Sequence, residues 1–268
     1  MSIGRLFGNA VQHWIDHQKI FWLAAGGMAL LFGAIQLYEE YSGSKQASGG
    51  GYVAVAYALM LNFWMMLMLD PDHSKRQKTL SVAERKKQPA GPTFGFLLFC
   101  ATFFLALMGL SLYFAIPFLD QVSSKNPNHF LLVGIIVALT EPIALLLVTL
   151  LFANFLLYLP ARAVRYPLDI GAAFTLAKGV RLRLIGFALL CGLMAVIATL
   201  TLIVGSAFRL PDVRWIVGLI RALATLIDCF VLYVLANGIS QMFIAQTGWK
   251  PTPIKHVADG PNSPIWQD

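Results

Sequence analysis

Six apolar stretches, at about residues 20–38, 52–69, 93–119, 130–159, 184–208 and 213–246, leave only short polar segments between them. A bilayer core about 30 Å thick takes roughly 20 apolar residues per helical crossing. The first, second and fifth stretches are close to that length. The third, fourth and sixth exceed it, which predicts tilt, kinks or ends that project past the lipid. The runs are continuous rather than alternating with period two, so they read as helices and not as barrel strands. The expected fold is all-α, a polytopic transmembrane helix bundle of about six spans forming one integral membrane domain over residues 1–268.

Composition agrees with lipid as the solvent. Of 268 residues, 58% are hydrophobic and 12% charged, where a soluble domain carries roughly a quarter. In water so few charges would not cover the exterior of the fold. The net charge of +7 lies between the apolar runs rather than along a basic face with interleaved aromatics, so no nucleic-acid partner is expected. Cys100, Cys191 and Cys229 each sit inside an apolar run without ligand or pairing spacing, so neither a metal, another cofactor nor a disulfide is expected. The first long apolar run begins near Ile20 and reads as a retained span rather than a cleaved leader.

The connecting segments predict the orientation. Arg5 and Lys19, the 70–92 loop (Lys75, Arg76, Lys78, Arg85, Lys86, Lys87), the 160–183 segment (Arg162, Arg165, Lys178, Arg181, Arg183) and the tail at 247–268 (Lys250, Lys255) hold fifteen basic residues on one side. The other side has four: Lys45, Lys125, Arg209 and Arg214. Both termini are therefore expected in the cytoplasm of a bacterial cell, with the protein in its inner membrane. The translocated loops are too short to hold a domain. The 70–92 loop reads as flexible, with Pro89 and Pro92 before the third span.

Two cytoplasmic stretches have helical amphipathicity. Within 3–18, Ile3, Leu6, Phe7, Ala10, Val11, Trp14 and Ile15 share one face, opposite Arg5, Asn9, Gln12, His13 and Asp16. In 167–182, opened by Pro167, Ile170, Ala173, Phe174 and Ala177 face one way. Both are expected to lie in the membrane interface, with Phe7, Val11, Trp14 and Phe174 toward lipid. Ile3-Gly4-x-x-Phe7-x-x-Ala10 matches Ile170-Gly171-x-x-Phe174-x-x-Ala177. The match fits either a parallel internal repeat or shared constraints on any helix that feeds a span.

The stretch Leu156–Leu193, with Leu159-Pro160, Ala172 or Ala173, Lys178, Gly179, Arg181 and Arg183, resembles a pattern in bacterial six-span proteins. These include the YciC-like inner-membrane proteins and the membrane domain attached to some glycerophosphodiester phosphodiesterases. The resemblance implies a six-span layout and no biochemical activity, and no phosphodiesterase domain accompanies it here.

Polar residues inside the apolar runs are the candidate site. Glu141, in Thr140-Glu141-Pro142, lies near the middle of the fourth run, where a charge costs several kcal/mol (roughly 3 on insertion scales). It reads either as an acid at a proline break, as transporters use, or as a structurally neutralised group near the outer surface. Arg221, Thr225 and Asp228 form an i, i+4, i+7 stripe. With Glu141 they would line a polar passage; alone, Arg221 and Asp228 would form one ion pair that sets helix register. Asn154, Asn237 and Gln241 read as residues that cap or join helices. His13 and His17 are four apart but lack a carboxylate arrangement for metal, so solvent or headgroup contact is expected. Ala25, Ala29 and Gly33 repeat every four residues and permit close helix approach.

No enzyme motif is present. Glu39-Glu40 resembles the start of the Glu-Glu-x-x-x-Arg of intramembrane proteases, but Ser44 stands where Arg belongs. Gly-x-Ser-x-Gly and a phosphate-binding Gly-rich loop are absent, and Asp228 has no second intramembrane Asp. The sequence therefore predicts a non-catalytic membrane protein whose partners are the bilayer, other membrane proteins or a second copy. A transporter or channel for a small solute or ion, using Glu141, Arg221 and Asp228, is the alternative.

Overall fold

The computed structural model describes residues 2–42, 50–72, the single residues 102 and 106, 109–110, 113–118, 129–164, 166–207 and 215–250. Most of the 93–119 run, the 70–92 loop beyond residue 72, the translocated loops, Cys100 and the tail from 251 lie outside the described residues.

Every regular element among the described residues is helical. In chain order these are α1 (Ile3–Asp16), α2 (Gln18–Ser42), α3 (Gly50–Leu69), α4 (His129–Phe152), a 3-10 turn (Ala153–Phe155), α5 (Tyr158–Ala163), α6 (Ile170–Lys178), α7 (Arg181–Ala207) and α8 (Trp215–Thr247). Among the described residues, two segments, Gln18–Glu39 of α2 and Gly218–Thr247 of α8, are long and apolar enough to cross a membrane. A third crossing follows if α6 and α7, bent by 91°, count as one span.

Local chemistry sets the helix limits. The Ser2 hydroxyl caps α1 by accepting from the Arg5 amide at 3.3 Å. His17 alone separates α1 from α2, its N–H bonded to the carbonyls of His13 and Trp14. At the other terminus α8 stops at Gly248, whose φ of +64° is the left-handed cap that glycine adopts without strain. Its N–H reaches the Ile244 carbonyl at 2.8 Å.

The fourth apolar run breaks at an unforeseen place. α4 continues through Glu141-Pro142 and gives way only at Ala153–Phe155, followed by turns at Leu156 and Leu157. A proline ring clashes with the carbonyl four residues earlier, which for Pro160 belongs to Leu156. Pro142 is accommodated within the helix, as prolines in apolar helices often are.

α8 is the central post. Residues 231–234 and 236–240 are buried in an unbroken series but for Leu235, so this half of the helix is enclosed nearly all round. It packs against α2, α7 and α3, with α1 and α5 at its C-terminal end, while α4 packs on α7. Small residues allow the close approaches. Ala25, Ala29 and Gly33 are all buried on α2. A Cβ on Gly33 would stand 2.9 Å from the Gly218 carbonyl oxygen of α8, so this stripe packs inside the chain. At the other end of α8, the Phe187 ring of α7 fills the space beside Gly238.

These contacts sort the connectors. The start of α1 (Ile3 beside Gly186), the end of α3 (Trp64 at 5.0 Å from Tyr233), Tyr166 (5.5 Å from Phe243) and the start of α7 all meet the C-terminal half of α8 or its neighbours. The end of α2, the start of α3 and the start of α8 meet at the opposite end, through Phe32–Tyr57 and Leu37–Gly218. The described residues that border the four basic segments thus lie at one end of the bundle.

The two amphipathic helices correspond beyond their sequence match. Asp169 caps α6 by accepting from the Ala172 amide at 2.6 Å, as Ser2 does for α1 from Arg5. Leu6 and Ala10 are fully buried in α1, as are Ala173 and Ala177 at the matching positions of α6. Cap, register and buried face all repeat with an offset of 167 residues.

Candidate functional site

The apolar surroundings of α8 force its polar residues to find partners, and they find them on two other helices. The Tyr57 hydroxyl of α3 donates to Asp228 Oδ2 at 2.6 Å. Thr225, buried, turns its hydroxyl back to the Arg221 carbonyl at 2.9 Å, which satisfies it without a second helix. The Arg221 guanidinium carbon lies 5.9 Å from the centre of the Phe32 ring of α2, within cation–π range. Phe32 in turn meets the Tyr57 ring at 6.3 Å. Arg221, Thr225, Asp228, Tyr57 and Phe32 therefore form one polar and aromatic knot among α2, α3 and α8.

Glu141 is carried elsewhere. It is a helical residue of α4, and α4 makes its extensive contact with α7 rather than α8. The structure thus brings Arg221 and Asp228 to one knot and leaves the helix of Glu141 outside it. Asn154 is half-buried in the 3-10 turn that follows α4.

A second polar cluster lies where α1 crosses the end of α8. His13 Nδ1 is 2.6 Å from the hydroxyl of Tyr233, a residue with no exposed surface. That hydroxyl also lies 3.2 Å from the His13 carbonyl. His17 stacks on His13 with ring centres 4.2 Å apart, and its Nδ1 donates to the His13 carbonyl at 3.0 Å. Burial, then the neighbouring His17, lower the His13 pKa below its usual 6.5, with Asp16 opposing. Next along α1, Asn9 donates to Gln241 Oε1 at 3.1 Å, and Gln241 donates to Asn237. Gln241 therefore joins helices as its sequence position suggests, while the histidines, both half-buried, also meet protein.

The expected lipid-facing residues are each half-buried and touch protein on one side. Trp14 packs edge-on to Phe21 at 5.8 Å and to Phe230 at 5.4 Å. Phe7 packs on the core beside Leu6 and Ala10, Phe174 meets the Phe155 ring at 4.6 Å, and Val11 is half-buried. An apolar helix face is buried equally well by α8 or by acyl chains, and these four side chains, each half-buried, keep surface on both sides. Ile15 and Ile170 remain exposed.

Tyr57 and Tyr233 are the site residues that sequence reasoning missed. Their signal is a hydroxyl inside an apolar run, which must find a partner when buried. Among the described residues, no group of three or more His, Cys, Asp or Glu side chains is placed to hold a metal ion. Comparison with known proteins finds no matching family model, no matching curated protein and no matching solved structure.

Proposed function

We propose that this chain is a non-catalytic polytopic protein of a bacterial inner membrane, with six spans and both termini cytoplasmic. It acts by association with lipids or with other membrane proteins, a second copy included. The observation that carries the reading is the use made of Asp228: its carboxylate accepts from Tyr57 and ties α3 to α8. A polar group spent on holding helices together is a scaffold element.

The outer surface supports the membrane. Leu23, Leu30 and Leu31 of α2, Leu151 of α4, Leu193 of α7 and Leu219 of α8 are all exposed. On α2 these leucines lie between exposed Trp22 and Tyr38, separated by roughly 24 Å at 1.5 Å per residue. That spacing fits a pair of interfacial aromatics. The position of the residues that border the four basic segments, at one end, supports a cytoplasmic assignment for that end. The resemblance to YciC-like proteins supports the six-span count and brings no activity with it.

The alternative, passage of a small solute or ion, draws on Arg221 and Asp228 being half-buried rather than sealed. Reconstitution separates the two. The scaffold reading expects a lipid or membrane protein that co-purifies at fixed stoichiometry in mild detergent and persists in Glu141→Gln and Asp228→Asn. Solute flux in proteoliposomes that both variants abolish would replace it with the transport reading.

A further inference from the structure

We infer that the corner between α6 and α7 binds an anionic phospholipid, its headgroup held by Lys178, Arg181 and Arg183 and its chain lying along Leu182. The inference rests on the membrane reading above and names one partner for it.

The corner is made by Gly179 and Val180, across which the chain turns by 91°. α6 then lies across the direction of α7. Its buried face, Ala173 and Ala177, is pressed inward and its far face is left open. Lys178, Arg181 and Arg183 are all exposed, and none makes an ion pair among the described residues. Asp169, the acid on α6, is at the far end of that helix, where its carboxylate caps it through the Ala172 amide. Three cations within six residues therefore stand without a counter-charge among the described residues.

Leu182 is 84% exposed between two of them, and Ile170 is also open. An aliphatic side chain flanked by arginines matches an amphiphile, with phosphate at the cations and acyl chain against the leucine. The first N–H groups of α7 begin at the same corner and add partial positive charge. Charge complementarity thus selects an anionic headgroup over a zwitterionic one.

The test is competition between phosphatidylglycerol and phosphatidylcholine of equal chain length for the full chain in detergent, read by native mass spectrometry. Each cation near an anionic headgroup contributes about fivefold, so a preference on the order of a hundredfold is expected. Lys178→Gln/Arg181→Gln/Arg183→Gln should lose at least roughly tenfold of it. Lys75→Gln/Arg76→Gln/Lys78→Gln, matched in charge, should keep it. Equal retention of the two lipids by the unaltered chain overturns the inference, whether or not any variant folds. Equal loss in both triple variants also overturns it, since the effect is then diffuse charge. Glycerol 3-phosphate that displaces the bound lipid at equal concentration overturns lipid docking in favour of a free-phosphate site. Release of the chain from membranes by alkaline carbonate would instead sink the membrane reading itself.

Discussion

The hydroxyl of Tyr57 and the carboxylate of Asp228, 171 positions apart in the chain, meet at 2.6 Å between α3 and α8. The bond turns the costliest residue of α8 into a joint of the bundle. Tyr57→Phe removes the donor, and Asp228→Leu removes the group that needs it. In a double-mutant cycle on thermal unfolding in detergent, the pair should show a coupling of about 1 kcal/mol, the scale of interhelical bonds in membranes. Strict additivity would mean the two groups do not depend on each other.

A second prediction concerns the glycines that α8 presents to its neighbours. A Cβ on Gly238 would stand 2.0 Å from the ring of Phe187, which has no exposed surface into which to move. A Cβ on Gly218 would stand 2.3 Å from half-buried Leu37, a flexible aliphatic chain. Overpacking costs about 1–3 kcal/mol, against about 1 kcal/mol that alanine gains in helix propensity. Gly238→Ala should therefore lower the unfolding temperature while Gly218→Ala leaves it nearly unchanged. Phe187→Leu added to Gly238→Ala should recover part of the loss.

The α1–α8 contact should depend on pH. Burial and His17 lower the His13 pKa in the folded chain, so the neutral ring is the docked form. Above about pH 6.5 folded and unfolded chains both carry it neutral. As pH falls through and below that value, the unfolded chain takes up the proton first and stability is lost. Asp16, which faces the same ring, softens the effect, and Tyr233 faces it from α8 without charge. Unfolding temperatures between pH 8 and pH 5 should fall more steeply for the unaltered protein than for His13→Gln. Equal slopes would remove His13 from the account.

What the sequence makes legible here is local, and what it hides is partnership. Continuous apolar length alone marks α2 and α8, and the stripe from Ile3 to Trp14 marks α1. Periodicity shows that a face is covered but not by what, so the edge contacts of Trp14 with Phe21 and Phe230 are not legible in it. The stripe of Arg221, Thr225 and Asp228 is visible from spacing, whereas Tyr57 is not, because nothing local points across 171 residues. The two prolines of the fourth run obey one rule with opposite outcomes. α4 runs on through Pro142, while the chain opens at Leu156, four residues before Pro160. Which clash a helix absorbs depends on its neighbours, and sequence carries no record of them.

Hydrocarbon around the outer face of α2 would be reported by a spin label on that face. With the three native cysteines replaced by alanine, Leu30→Cys in membrane vesicles should place the label at a position that is 74% exposed on the protein. The account predicts strong relaxation by oxygen, which partitions into lipid, and weak relaxation by a water-soluble nickel chelate. The reverse pattern, with the chelate reaching the label freely, would contradict it.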